Sequence, residues 1–186
     1  MPARLVVLAS GSGSTLQAVL DDAQLRPQVV AVGSDRPGAP ALQRADRAGV
    51  ETFTVPLDAH PDRAAWNRAL ESELAARAPD LVVLAGFMRI LDAGVVGRFR
   101  VVNTHPALLP AFPGAHAIRD ALAAGVRSTG VTVHWVDEGV DTGPLIAQVV
   151  VPVEDGDDED RLRARVQAAE KPLFVETLKN LTMEDA

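Results

Sequence analysis

The chain has 186 residues, 47% hydrophobic and 23% charged, so we expect one globular domain, residues 1–186, with a substantial core. Its net charge of −7 argues against a broad nucleic-acid surface, and the lack of cysteine excludes disulfides, thiolate catalysis and thiolate zinc sites. The apolar run at the N-terminus is too short to span a membrane and has no cleavage-site pattern, so we expect a soluble cytoplasmic protein.

A strand, a glycine turn and a helix are predicted at the start of the chain. Residues 5–9 are continuously apolar, as in a strand buried on both faces, and apolar residues then recur at helical spacing. The turn between them, Ser-Gly-Ser-Gly-Ser-Thr at 10–15, gathers N–H groups and hydroxyls at the positive end of a helix, which favours a phosphate ligand. It matches neither G-x-G-x-x-G nor the Walker pattern, so we expect a monophosphate; a flexible linker is the alternative.

The following segments alternate between strand and helix patterns. This alternation predicts an α/β fold: a three-layer αβα arrangement around a mostly parallel, twisted sheet of about seven strands, closed by an antiparallel hairpin. The predicted strands are 29–33, 52–55, 81–85, the residues before Asn103, 131–136 and 145–153, and the predicted helices are 41–49, 61–76 and a last one from Arg161.

Two arginines lie where a ligand contact is one of two interpretations. Arg63 is in the first turn of a helix, where a cation opposes the helix dipole, so it either reaches a ligand or is solvated. Arg89 interrupts the apolar residues 86–91 after a buried strand, where open α/β sheets bind ligands. Core packing with Arg89 extending to solvent explains the pattern equally well.

The richest stretch runs from residue 101 to residue 144. A β-branched strand stops at Asn103, Thr104 and His105, and a later loop, 137–144, holds three carboxylates within five residues. An amide, an imidazole and a carboxylate suit carbonyl chemistry, which needs an oxyanion donor and a group that titrates near neutral pH. The alternative is a buried structural histidine beside an exposed acidic turn. His134, inside the predicted strand 131–136, is better explained as a supporting or packing residue.

The C-terminal third contains fewer functional signals. Residues 154–160 include six carboxylates, which fit a solvated helix entry better than a cation site. Pro172 is expected to bend or end the last helix near Glu170, and residues 183–186 are expected to be frayed.

Five sequence blocks occur in one order along the chain: SGSGS at 10–14, VLAGFMRIL at 83–91, NTHPALLP at 103–110, FPG at 112–114 and VDTGP at 140–144. Together they resemble the phosphoribosylglycinamide formyltransferases of purine synthesis, and the resemblance covers essentially the whole chain. It implies the formyltransferase fold with a Rossmann-like N-terminal half, as a monomer or homodimer.

The resemblance also implies roles for individual residues. The substrates are glycinamide ribonucleotide (GAR) and the co-substrate 10-formyltetrahydrofolate, with no metal. Thr15 and Ala111 depart from the family pattern, since asparagine is expected at 15 and a basic residue is frequent at 111. The implied catalytic residues are Asn103, His105 and Asp141; those for GAR are Gly13, Ser14, Thr15 and Glu170; those for folate are Arg63, Met88, Arg89, Ile90, Leu91 and Asn103.

Other functions were weighed on the same residues. A formyltetrahydrofolate hydrolase would use water as the acceptor, but such relatives carry an N-terminal regulatory domain, whereas here the first strand begins at Leu5. An initiator-tRNA formyltransferase would need a basic RNA-binding domain. A non-enzymatic binder of phosphate ligands remains the alternative outside enzymology.

Overall fold

The computed structural model describes residues 2–184. These form seven strands and six α-helices, with two short 3-10 turns at Arg26–Gln28 and Leu57–Ala59. The strands are β1 (Leu5–Leu8), β2 (Val29–Ser34), β3 (Glu51–Thr54), β4 (Leu81–Leu84), β5 (Val101–His105), β6 (Ser128–Trp135) and β7 (Leu145–Pro152). The helices are α1 (Ser14–Asp21), α2 (Pro40–Arg47), α3 (Arg63–Arg77), α4 (Ala93–Arg98), α5 (Ala117–Ala123) and α6 (Glu159–Glu184).

The strands form one sheet in the order β3-β2-β1-β4-β5-β6-β7. The first five in this order are mutually parallel, and β6 is antiparallel to both of its neighbours. The two central strands, β1 and β4, share the sequence Leu-Val-Val-Leu and are fully buried, as expected for parallel strands covered on both faces. The predicted α/β fold class, with its seven strands and late antiparallel hairpin, is confirmed.

Helices cover both faces of this sheet. On β1, Leu5 and Val7 pack on one face with α1, α2 and α6, whereas Val6 and Leu8 pack on the other face with α3 and α4. Alternate residues of one strand therefore anchor two separate helical layers. The order of strands reverses between β1 and β4, so the loops that follow these two strands border the crevice where open α/β sheets bind ligands.

The last helix differs from its prediction. It begins at Glu159 rather than Arg161, and Pro172 lies inside it without ending it. A proline in a helix interior costs about 3 kcal/mol because it removes one hydrogen bond and crowds the preceding turn. Here the helix is anchored on both sides of the proline, by Leu162 and Val166 before it and by Phe174 and Leu178 after it, all fully buried. Tertiary packing therefore overrides the local signal.

Other boundaries moved by a few residues. Asp62 caps α3 by accepting a hydrogen bond from the Ala65 amide, so this helix begins at Arg63 rather than Pro61. The last helix includes residues 183 and 184, which we expected to be frayed; residues 185 and 186 lie outside the described part of the chain. Between Pro2 and Glu184, no helix has the length and apolar character needed to cross a membrane.

Candidate active site

The glycine turn after β1 is shaped by close packing. Gly13 has a left-handed backbone with φ of 71°, and a Cβ built there would lie 2.7 Å from Cα of Ala41. No side chain caps α1, so the first N–H groups of this helix are free of intrahelical partners and point out of its end. Ser14 and Thr15 form its first turn. Backbone N–H groups at a positive helix end make a binding site for a phosphate.

The loop after β4 is tied to neighbouring elements by three polar side chains. The Met88 amide donates to Oγ of the buried Ser10 at 2.8 Å. Arg63 donates to the Ile90 carbonyl and stacks over the Trp66 ring at 4.5 Å. Arg89 donates from Nε to Oδ2 of Asp35 at 2.6 Å. Residues 86–91 therefore form a held loop whose Met88 and Ile90 side chains remain 63% and 59% exposed.

The end of β5 places three polar side chains on two faces of the sheet. Asn103 and His105 alternate with Thr104, so they share one face while Thr104 points to the face of α6. Nε2 of His105 lies 2.8 Å from the Phe112 carbonyl, to which it donates. Its other nitrogen, Nδ1, lies 3.2 Å from Oδ2 of Asp141. Both imidazole nitrogens thus face oxygen acceptors, an arrangement that a doubly protonated ring satisfies.

The loop between β6 and β7 folds back over this face and brings Asp141 to the histidines. Asp141 has a left-handed φ of 55°, and its Oδ2 accepts a hydrogen bond from the Gly114 amide at 2.8 Å. Its Oδ1 lies 3.5 Å from Nε2 of His134. Burial alone would raise the pKa of Asp141. Hydrogen bonds from His134 and Gly114, together with the nearby charges of His105 and His134, lower it by more than burial raises it. The pKa of Asp141 therefore lies below its usual value. Asp141 is therefore an anion at neutral pH.

His134 supports the neighbouring amide. Its Nδ1 lies 2.8 Å from the Trp135 carbonyl and carries the proton for that contact. Its Nε2 lies 3.2 Å from Nδ2 of Asn103 on one side and faces Oδ1 of Asp141 on the other. This contact orients the Asn103 amide and leaves its second N–H free for another acceptor.

A cavity of about 390 Å³ joins these groups. One wall is the loop 86–91 and the opposite wall is the loop containing Val140, which is 46% exposed. Asn103, His105 and Asp141 line its floor. An apolar cleft with few polar groups at one point is typical of a small-molecule site.

A second polar group lies on the opposite face, beside the glycine turn. Oγ1 of Thr15 lies 3.4 Å from Oε2 of Glu170. The buried Thr104 hydroxyl faces the same carboxyl without completing a hydrogen bond. Burial raises the pKa of Glu170 above its usual value, against the lowering effect of the two threonine hydroxyls. Thr104 is also among the residues that line the cavity, although its hydroxyl points to the opposite face. It therefore lies between the cavity and the Thr15–Glu170 contact.

Comparison with known proteins identifies the relatives of this chain. A family model described as formyl transferase matches residues 3–178. Phosphoribosylglycinamide formyltransferase of Mycobacterium tuberculosis (strain ATCC 25618 / H37Rv) is 56% identical over 178 residues, covering 94% of this chain and 82% of that protein. This chain belongs to the phosphoribosylglycinamide formyltransferase family. The Escherichia coli (strain K12) phosphoribosylglycinamide formyltransferase is 45% identical over 175 residues, covering 91% of this chain and 82% of that protein.

Solved structures of the family agree with this assignment. The crystal structure of glycinamide ribonucleotide transformylase 1 from Symbiobacterium toebii superposes with a TM-score of 0.94 at 44% identity, covering 98% of this chain and 89% of that one. The formyltransferase fold implied by the sequence resemblance is therefore confirmed.

The residues that the family resemblance implies fall into three places in the structure. Asn103, His105 and Asp141, distant in sequence, meet at the cavity floor, and residues 88–91 form one of its walls. Gly13, Ser14, Thr15 and Glu170 gather on the other side of β5, outside the lining of this cavity. Arg63 is also outside the lining, where it holds the Ile90 carbonyl.

Sequence reasoning missed several contacts of this formyltransferase site. The Phe112 carbonyl and the Gly114 amide act through their backbone, which no side-chain pattern reveals. Asp35 was not among the residues selected from the sequence, yet it follows β2 and its side chain is fully buried against Arg89. The available signal was its place at the carboxyl end of a parallel strand.

Proposed function

We propose that this protein transfers the formyl group of 10-formyltetrahydrofolate to the amine of glycinamide ribonucleotide, giving formylglycinamide ribonucleotide and tetrahydrofolate in purine biosynthesis. It is proposed to act as a single formyltransferase domain spanning residues 1–186. The relatives named phosphoribosylglycinamide formyltransferase support this reaction, at identities of 56% and 45%.

One observation carries the mechanism. The Asp141 carboxylate lies within 3.2 Å of His105 and 3.5 Å of His134, next to the Asn103 amide. These groups border a cavity with room for a folate-sized ring system on its apolar side. An anion, an imidazole and an amide around one point are what formyl transfer needs.

In the first step, the amine of GAR attacks the formyl carbon and the carbonyl oxygen becomes an alkoxide. Asn103 donates its free N–H to this oxygen, because its other N–H contacts His134. His105, charged beside Asp141, is the second donor. Its Nε2 donates to the Phe112 carbonyl in this structure, so the formyl oxygen must replace that carbonyl as its acceptor. Each such donor contributes about 10²–10³-fold to rate.

The proton released by the attacking amine then needs an acceptor. Asp141 is ionised because its pKa is lowered, so it accepts this proton directly or through a water. Collapse of the tetrahedral intermediate breaks the bond between carbon and N10 of the folate. N10 takes up a proton as tetrahydrofolate leaves, which balances the reaction.

The remaining residues bind the two substrates. The free N–H groups around Gly13, Ser14 and Thr15 hold the phosphate, and Glu170 contacts the ribose hydroxyls. Met88, Arg89, Ile90 and Leu91 contact the pterin, and Arg63 keeps this loop in place through the Ile90 carbonyl. The reaction takes place in the cytoplasm, by a monomer or homodimer and without a metal.

A spectrophotometric assay tests the proposed reaction. Purified protein is mixed with 10-formyltetrahydrofolate in the presence or absence of GAR. We expect tetrahydrofolate to appear only with GAR. Release of formate without GAR would instead indicate a hydrolase, and nucleotide binding without consumption of the formyl donor would indicate a non-enzymatic binder.

A further inference from the structure

A buried carboxylate lies beside the cavity without belonging to the proposed catalytic groups. Asp35 follows β2 at the edge of the sheet that borders the site, and its side chain is fully buried. Its Oδ2 lies 2.6 Å from Nε of Arg89, while its Oδ1 is buried with no hydrogen-bond partner among the described residues. A buried charge with one unsatisfied oxygen destabilises a fold, so stability alone does not account for this pair.

The other end of the pair reaches the cavity. Arg89 lines the cavity and its side chain is 28% exposed. Its Nε is bound by Asp35, whereas its two terminal nitrogens make no hydrogen bond with the described residues. Because the guanidinium is planar and rigid, binding one edge to a carboxylate determines where its remaining donors point. Asp35 therefore sets the direction of the free Arg89 donors.

The pair also sets the position of the apolar loop. Arg89 lies between Met88 and Ile90, whose exposed side chains border the cavity. Ser10 holds the loop through the backbone amide of Met88, and Arg63 holds it through the backbone carbonyl of Ile90. Asp35 instead holds it through the side chain of Arg89. Of these three contacts, only the one from Asp35 depends on a buried anion.

We propose that Asp35 is a positioning residue for the folate co-substrate. It acts through Arg89, directing the free guanidinium donors and the 88–91 loop toward a ligand that carries ring carbonyl and carboxylate oxygens. This inference rests on the proposed function, because it assigns Asp35 to the folate side of the same reaction. Asp35 makes no contact with the reacting atoms.

The variant Asp35→Asn tests this role, because it keeps the size of the side chain and removes its charge. We expect KM for 10-formyltetrahydrofolate to rise about tenfold, as for the loss of one charge-assisted hydrogen bond. We expect kcat and KM for GAR to stay within about twofold, because the catalytic groups and the glycine turn are untouched. Arg36→Ala is the control: this arginine lies 3.9 Å from the same carboxylate, but it is 60% exposed and lies outside the cavity lining. It should leave all three constants unchanged.

A second variant separates positioning from general destabilisation. If Asp35 acts only through Arg89, Arg89→Gln alone should raise the folate KM, and adding Asp35→Asn to it should raise that KM no further. Additive effects would overturn the proposal, as would an unchanged folate KM or equal losses for both substrates. If Asp35→Asn does not fold, an unchanged folate KM in Arg89→Gln overturns it.

Direct binding distinguishes failure of this inference from failure of the proposed reaction. Tetrahydrofolate is titrated into the wild-type protein and both variants, with its fluorescence as the readout. A wild-type protein that binds tetrahydrofolate but transfers no formyl group contradicts the proposed reaction. Equal affinity in wild type and Asp35→Asn contradicts the positioning role of Asp35, whatever the reaction.

Discussion

The two sides of β5 are held in different ways. On the side proposed to bind the nucleotide, Gly13 is positioned by backbone packing, since no Cβ fits against Ala41, and Thr15 is buried. On the side proposed to bind folate, Asp141 lies in a partly exposed loop. It is held by a hydrogen bond from Gly114 and by the nearby His105 and His134 rings. Two of these residues, Asp141 and His105, are themselves proposed to be catalytic.

This difference predicts how each side responds to mutation. Where packing shapes a site, a substitution changes both folding and ligand affinity. Where a few polar contacts shape it, a substitution changes the reaction with little effect on folding. On the proposed folate side, the rate should therefore change without stability. On the proposed nucleotide side, a substitution in the packed turn should change stability and affinity for GAR together.

The largest effect is expected for Asp141→Asn. The amide cannot accept the amine proton and offers no charge to His105, so kcat should fall by about 10³-fold or more. The midpoint of urea unfolding should change far less than the rate, because the asparagine oxygen can still accept the hydrogen bond from the Gly114 amide. Asp137→Asn is the matched control in the same loop, where Asp137 accepts from Thr142 and Gly139. A wild-type kcat in Asp141→Asn would reject the proposed proton acceptor.

Gly13→Ala should weaken nucleotide binding and folding together. The new Cβ would clash with the Ala41 backbone at 2.7 Å, and φ of 71° strains any side chain. We expect a loss of about 1–3 kcal/mol in unfolding free energy and a raised KM for GAR. Gly11→Ala is the control, since a Cβ there meets nothing within 4 Å and should leave the urea midpoint near wild type. If the two variants were equally stable, close packing against Ala41 would not be what determines the conformation of the turn at Gly13.

Glu170→Gln should change stability and nucleotide binding in opposite directions, because Glu170 is a buried polar group and not part of the packed glycine turn. Because burial raises the folded pKa of Glu170, the wild-type protein is stabilised by its protonated form below the unfolded pKa and loses this as pH rises through the folded pKa. The glutamine variant should therefore gain stability relative to wild type at pH 7 but not at pH 4. Its KM for GAR should rise severalfold. Urea unfolding of both proteins at pH 7 and pH 4 measures this stability difference. A gain in stability for Glu170→Gln only at pH 4 would contradict a raised pKa of Glu170.

Ala111→Lys should give the smallest effect. The lysine adds the positive charge that the family resemblance led us to expect between Pro110 and Phe112. Because position 111 is exposed, we expect less than about 1 kcal/mol of tighter binding to the anionic substrates, lost at high salt. KM values measured at two ionic strengths check this. A gain that persists in high salt would indicate a contact other than this exposed charge.

Much of this architecture could be predicted from local patterns. The apolar runs of β1 and β4 and the turn residues around Gly13 contain their own signals, because burial on both faces and helix-end geometry are encoded over a few residues. The convergence of His105 and Asp141 could be anticipated because one follows a strand end and the other lies in the neighbouring hairpin loop.

The features that could not be predicted depend on contacts between segments that are distant in sequence. Pro172 was expected to bend or end its helix. The helix does not end there, because burial of Leu162 and Phe174 on either side stabilises it past the proline. The Asp35–Arg89 pair joins residues 54 positions apart, and the acceptor of His105 is a backbone carbonyl. No local sequence pattern shows which residue is the partner in either contact.

The central claim is that Asp141 acts in the chemical step, whereas Gly13 acts in nucleotide binding. Single-turnover rates at saturating concentrations of both substrates test this claim most directly. Asp141→Asn and Gly13→Ala are compared with wild type in the same rapid-quench experiment. The account predicts that Asp141→Asn slows formyl transfer by about 10³-fold or more, while Gly13→Ala regains the wild-type rate once GAR is saturating. A slow chemical step in Gly13→Ala together with a normal one in Asp141→Asn would contradict it.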